Sequence, residues 1–229
     1  MRTDRRDPGS VPPEVASLVA DWRARGQPAQ QAIDWPRERW TVALPAYAEV
    51  FDGLPTRLDR ATVRRAVTAG LAAGDSIGAF LSTMAWGFGQ VGYGPYRVEK
   101  MLTSRADTVG AVLEEAASLA ARGRPLDAYR QLAGAGRIAG LGPAFGTKFL
   151  YFASGGPERA LILDRIVASC LARVAALLLN PVRWDAQTYR SYVTTMGQWA
   201  RELDVAPDHV EQVLFTAEAL RSGSQWGEE

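Results

Sequence analysis

Cysteine and histidine occur once each, as Cys170 and His209. One cysteine excludes an internal disulfide framework and a four-cysteine metal or iron–sulfur centre. One histidine argues against a histidine-built metal site and against a Ser/His/Asp triad. Neither a metal nor a cofactor is therefore expected. Long apolar runs are missing as well. The longest, near residues 175–179 of the 229, falls far short of the roughly 20 apolar residues a bilayer-spanning helix needs. The opening MRTDRRDPGSVPPE is charged and proline-rich and lacks the apolar stretch of a signal peptide. The expected setting is a reducing cytoplasm, with no membrane partner.

Net charge is +1, so there is no overall basic footprint. The charge is nevertheless uneven. Residues 57–165 carry Arg57, Arg60, Arg64, Arg65, Arg97, Lys100, Arg105, Arg122, Arg124, Arg130, Arg137, Lys148, Arg159 and Arg165, and fewer acids. From residue 185 onward the chain leans acidic. Such a pattern offers a basic face to an anionic partner, or simply solvated arginines on helix surfaces.

Strand signals are absent, and helical periodicity dominates. Helices are expected near 12–25, 46–51, 58–73, 76–86, 96–102, 106–122, 124–132, 143–153, 164–179, 186–203 and 207–221. An irregular Trp- and Pro-rich arm should occupy 26–40, and Asn180-Pro181 should stop the helix that Asp164 begins. The expected class is all-α, roughly ten helices, as one bundle or two lobes around a cleft. Residues 1–40 read as an N-terminal helix and arm, 41–222 as the main helical domain, and 223–229 as a frayed tail.

The stretch GRIAGLGPAFGTKFLYF, residues 136–152, sets glycines and a proline before a run of large apolar residues. Packing accounts for the aromatics but not for the glycines. A short helix, a G-x-G turn and a second helix make a phosphate-binding layout. Glycine lets the backbone adopt positive φ and approach a ligand closely. The free N–H groups at the second helix's N-terminus then face outward, where the dipole favours an anion. Pro143 in its first position gives up an N–H that has no helical partner. A glycine turn between two packed helices has the same local sequence.

GLGPAFGTKFLYF resembles the hairpin of helix-hairpin-helix DNA glycosylases, whose pattern is roughly G-[VI]-G-x-x-[TV]-A followed by apolar residues. In a gap-free register Gly140, Leu141 and Gly142 take the hairpin, and Gly146 takes the small-residue position. LILDRIVA is similar to the segment bearing that family's essential aspartate: an apolar pair, Asp, then a helix start. Asp164 stands twenty residues after Ala144, a spacing similar to the alkylbase branch. The likeness covers residues 137–171, and residues 1–70 match no pattern of the family.

The resemblance, nearest to the 8-oxoguanine-type members, implies a glycosylase-like helical bundle that flips a damaged or modified base, the 8-oxoguanine type favoured, from double-stranded DNA and cleaves its N-glycosidic bond. It would work as a monomer in the nucleoid. Gly140, Gly142, Gly146 and Arg137 would hold the DNA backbone. Asp164 would stabilise the cationic sugar or position the nucleophile; an aspartate before an apolar helix is also an ordinary N-cap. Lys148 leaves two routes open. The gap-free register puts Ala144 at the usual lysine position and leans toward water as nucleophile. A slipped register makes Gly146-Thr147-Lys148 similar to the Gly-x-Lys of 8-oxoguanine glycosylases, with Lys148 forming a Schiff base. Lys148 as a surface grip on phosphate is the plainer role. In AWGFGQVGYGPYR, Trp86, Phe88, Gln90 and Tyr93 are candidates for the base pocket or wedge, or for core packing. A non-catalytic DNA-binding module, and a glycosylase for alkylated or phage-modified bases, are the alternative functions.

Overall fold

The computed structural model describes residues 9–156 and 158–223; the tail beyond Gly223 lies outside them. Local chemistry sets most helix starts. Helices α4 (Arg60–Ala72), α5 (Ser76–Phe88), α10 (Arg165–Ala175) and α11 (Ala186–Glu202) follow Asp59, Asp75, Asp164 and Asp185. Each of these aspartates accepts a first-turn N–H, the standard N-cap bond. Helices α1 (Pro13–Ala24), α8 (Pro125–Ala133), α9 (Pro143–Ala153) and α12 (Pro207–Ser222) open on proline, where the missing N–H costs no helical bond. The remaining helices are α2 (Arg37–Ala43), α3 (Ala48–Asp52), α6 (Gly94–Thr103) and α7 (Val109–Ala121). The class is all-α, as expected.

Helices α5 and α9 form the centre. Every residue of α5 except Ile77 is buried, and α3, α4, α6, α7 and α9 surround it. All of α9 except Ala144 is buried, against α4, α5, α7 and α8. Neither helix keeps a polar face, as befits helices enclosed on all sides. Their rings interlock. Phe80 meets Phe149 edge-on at 5.6 Å, and Phe88 stacks on Phe145 at 4.1 Å. Helix α12 packs on α1, α10 and α11 and closes the far side. One continuous core takes in Val15, Trp35 and Trp40 from the N-terminal segment together with Phe215.

Three departures from the sequence reading have physical causes. The arm at 26–40 holds a helical turn, because α2 starts after Pro36 and buries Trp40. It also holds β1 (Ile33–Asp34), which pairs antiparallel with β2 (Arg57–Leu58), Ile33 opposite Leu58. Two residues are too few for an alternating pattern to register. Third, α10 ends at Ala175, four residues before the expected Leu179. Ala176 turns left-handed at φ 52°, and its N–H closes back on the Leu171 carbonyl, which the Leu177 N–H also approaches at 3.2 Å. A 6→1 closure of this kind terminates helices. It turns the chain out of line with α10, and the segment that follows carries Trp184 across to α9.

Candidate functional site

The turn between α8 and α9 is built as its glycines require. Gly140 holds φ +82°, a left-handed conformation that side chains resist. The Leu141 N–H bonds the Ile138 carbonyl at 3.2 Å, and the leucine side chain is buried. Gly142 is the N-cap of α9, and no side chain caps that helix among the described residues. The first-turn amides of Ala144 and Phe145 are thus left at a positive helix end. Arginines gather round the turn. Arg97 donates to the Gly140 carbonyl at 3.3 Å, Arg105 donates to the Ala135 and Arg137 carbonyls, and Arg137 itself is exposed.

Lys148 and Asp164 meet inside the molecule. The Lys148 Nζ lies 4.0 Å from the Asp164 Oδ2, and the two side chains are 4% and 3% exposed. Lys148 projects from the second turn of α9, with its ammonium 4.8 Å from the Phe145 ring centroid. Gly87 allows this approach: a Cβ there would stand 3.2 Å from the Lys148 Cδ. Asp164 uses its other oxygen, Oδ1, to accept the Val167 N–H at 2.9 Å and cap α10. Capping and facing the lysine are therefore simultaneous, and Lys148 is not a surface residue.

A second buried pair stands nearby. Arg60 donates through Nη1 and Nη2 to the two Glu211 oxygens, at 3.1 and 2.8 Å, and lies over the Trp86 and Tyr151 rings. Burial alone would draw the Arg60 guanidinium down, but the Glu211 carboxylate outweighs it and holds Arg60 above its ordinary value. The pair joins α4 to α12. Tyr151 donates to Asp208 at 3.2 Å, and Arg159 donates to the same oxygen at 2.7 Å. Among the described residues no cluster of His, Cys, Asp and Glu could hold a metal ion.

The structure places the other residues singled out in the sequence as follows. Trp86 and Phe88 are core residues, 1% and 0% exposed. Trp86 sits edge-on to Phe152 and Phe88 stacks on Phe145. Gln90 and Tyr93 are exposed, Tyr93 by 50%, with Tyr96 close by in sequence at 58%. Gly146 does not reach the surface. The Trp184 indole is seated on it so closely that a Cβ would run into the ring. Trp184 also donates from Nε1 to the Leu141 carbonyl at 3.1 Å, fastening the 177–185 segment to the turn. Sequence reasoning passed over Trp184 because nothing in NPVRW announces a partner some forty residues away.

The helical architecture defines an all-α protein, with a buried lysine–aspartate pair behind its glycine turn. Residues 26–215 match the family described as "Putative 8-oxoguanine DNA glycosylase OGG-like protein". The chain belongs to this family, and the match takes in the glycine turn, Lys148, Asp164 and Glu211. No curated protein and no solved structure matches the chain. No helix among the described residues is long and apolar enough to cross a membrane.

Proposed function

We propose that the protein is a DNA glycosylase that flips an oxidised purine of the 8-oxoguanine type out of duplex DNA and cleaves its N-glycosidic bond. One observation carries the reading: Lys148 and Asp164, from separate elements, face each other at 4.0 Å just behind an uncapped helix N-terminus. The Gly140–Gly142 turn and the amides of Ala144 and Phe145 suit a DNA phosphate, which needs N–H donors and a positive dipole end. Arg137 adds charge to the same turn. Tyr93 and Tyr96, exposed beside Arg97, offer rings for stacking, and Gln90 offers an amide for a base edge.

In this reading Asp164 takes a proton from the Lys148 ammonium, and the free amine attacks C1′ of the flipped nucleotide. The N–C1′ bond forms as the C1′–N9 bond breaks. The base departs with the electron pair and takes the proton that Asp164 holds. Asp164, ionised again, stabilises the positive charge that develops on the sugar. As the sugar ring opens, a proton passes from the new Lys148 ammonium to the ring oxygen, which leaves as a hydroxyl, and a protonated imine between Lys148 and C1′ remains. The gap-free register, with Ala144 in the lysine position, leans toward water. Ala144 offers no acting group, whereas Lys148, one turn further on, meets the aspartate, and this supports the lysine route. A pair this closed is reached by a nucleotide only if the side chains over it part on binding.

The test is a panel of duplexes carrying 8-oxoguanine, an alkylated purine or uracil, incubated with and without borohydride. Release of 8-oxoguanine and a borohydride-trapped covalent complex are expected, with the complex missing in Lys148→Ala. Release of 8-oxoguanine without any trapped complex would return the mechanism to water. Duplex binding with no base released anywhere on the panel would leave a binding module.

A further inference from the structure

Residues 160–163 lead into Asp164 as a buried stretch belonging to neither helix nor strand. Buried backbone groups need partners, and here side-chain hydroxyls supply them. The Ser154 Oγ accepts the Ala160 N–H at 3.0 Å. The Tyr189 hydroxyl accepts the Leu161 N–H at 3.1 Å and donates to the carbonyl of the same residue at 3.0 Å. Tyr192 donates to the Ile162 carbonyl at 2.8 Å. The Thr147 Oγ1 accepts the Leu163 N–H at 3.0 Å. Two of these hydroxyls come from α11 and one from α9, so the stretch is held from both sides.

Thr147 is adjacent in sequence to Lys148, and Leu163 to Asp164. The Thr147–Leu163 bond therefore ties together the immediate neighbours of the two facing groups. We propose that Thr147, Tyr189 and Tyr192 are positioning residues that set the Lys148–Asp164 separation by fixing the 160–163 backbone against α9. The proposal rests on the glycosylase reading for its catalytic consequence, and not for its structural one.

The chemistry of each group fits. The Thr147 hydroxyl gives its one proton to the Pro143 carbonyl at 2.8 Å, so a lone pair is what remains for the Leu163 N–H. Serine reproduces this pattern; valine, of nearly the same shape, does not. The two tyrosines have to keep their protons to serve the Leu161 and Ile162 carbonyls. Burial pushes both phenols upward and keeps them protonated at any physiological pH. Tyr189 is itself braced by stacking on Tyr129 at 4.2 Å, and the Tyr129 hydroxyl accepts the Asp185 N–H at 3.0 Å.

Three variants test the proposal: Thr147→Val, Thr147→Ser and Tyr192→Phe. Each is measured for amide hydrogen exchange at Leu161 and Leu163. Each is also measured for affinity and single-turnover base release on an 8-oxoguanine duplex, and for borohydride trapping. Thr147→Val should lose protection at Leu163 and slow single turnover about tenfold or more, as small misplacements at reacting centres do. Its duplex affinity should stay unchanged, and Thr147→Ser should restore both rate and protection. If Thr147→Val does not fold, Tyr192→Phe, which removes a single oxygen, must show the same split between rate and affinity. Wild-type turnover and trapping in either of the two hydroxyl-less variants would overturn the catalytic consequence. Unchanged Leu163 protection in Thr147→Val would overturn the anchoring itself. A wild-type protein that neither releases base nor is trapped overturns the glycosylase reading, and the exchange measurement then still decides on the anchoring.

Discussion

Asp164 divides its carboxylate between two tasks, and a substitution that separates them tells which one matters for what. Asn keeps an oxygen for the Val167 N–H, so Asp164→Asn preserves the cap of α10. It removes the anion beside a buried lysine. Leaving one member of a buried pair without its partner costs about 2 kcal/mol or more. Asp164→Asn should therefore destabilise by more than loss of a cap would, and Lys148→Met in the same chain should recover part of the loss in urea titrations. Base release by Asp164→Asn should fall on the order of 10²-fold or more, with duplex affinity retained. At this scale the sequence disclosed Asp164 and Lys148 because both carry charge inside a recognisable pattern. It gave no sign of Thr147, Tyr189, Tyr192 or Trp184. Their partners are backbone groups distant along the chain, and an aromatic or hydroxyl residue looks the same whether it fills space or satisfies a carbonyl.

Among the elements, the glycine turn and the α10–α12 contact make separate predictions. Gly140→Ala forces a side chain into a left-handed residue and should cost about 1–2 kcal/mol of stability. Gly146→Ala meets the Trp184 indole, and the ring has to leave its seat. A shift in tryptophan emission and about 1–3 kcal/mol of destabilisation are expected, as in overpacked sites generally. Between α10 and α12, the buried Glu218 side chain accepts from Arg221 and Arg173. Arg221, with Arg173 behind it, holds the Glu218 carboxyl below its ordinary value of 4.5 against the opposing pull of burial. A depressed carboxyl stabilises the fold above its unfolded value and loses that contribution as acid protonates it. Glu218→Gln should cost about 1 kcal/mol near neutrality, since both arginines are partly in water, and the gap from wild type should close below about pH 4.5. Helix positions were legible in α4, α5, α10 and α11, which an aspartate caps, and in α1, α8, α9 and α12, which open on proline; the short α2 after Pro36 was not. The end of α10 was not, because AALLL contains no breaker; a left-handed Ala176 and the contacts of Trp184 decide it.

At the scale of the whole molecule, the uneven charge read from the sequence is gathered locally: Arg97, Arg105 and Arg137, separated along the chain, come together around one turn. Duplex affinity should fall steeply with salt if that turn is the DNA surface, and Arg137→Ala should make the slope of log affinity against log salt shallower by about one contact's worth. The all-helical class was readable because periodicity accumulates over many turns. The joining of the N-terminal segment to the main core was not, because Trp35 lies outside any helix and Trp40 in the seven-residue α2, too short for a period to register.

Cys170 gives the molecule a built-in clock. It is the only thiol in the chain, lies fully buried on α10, and is pushed up to about 11 by burial and by the neighbouring Glu218. A reagent that attacks thiolates meets nothing to react with until α10 parts from α12. The rate of labelling in native buffer therefore times the opening of the very helix whose first turn Asp164 caps. Duplex DNA bound beside that helix should slow the clock, and Glu218→Gln should speed it.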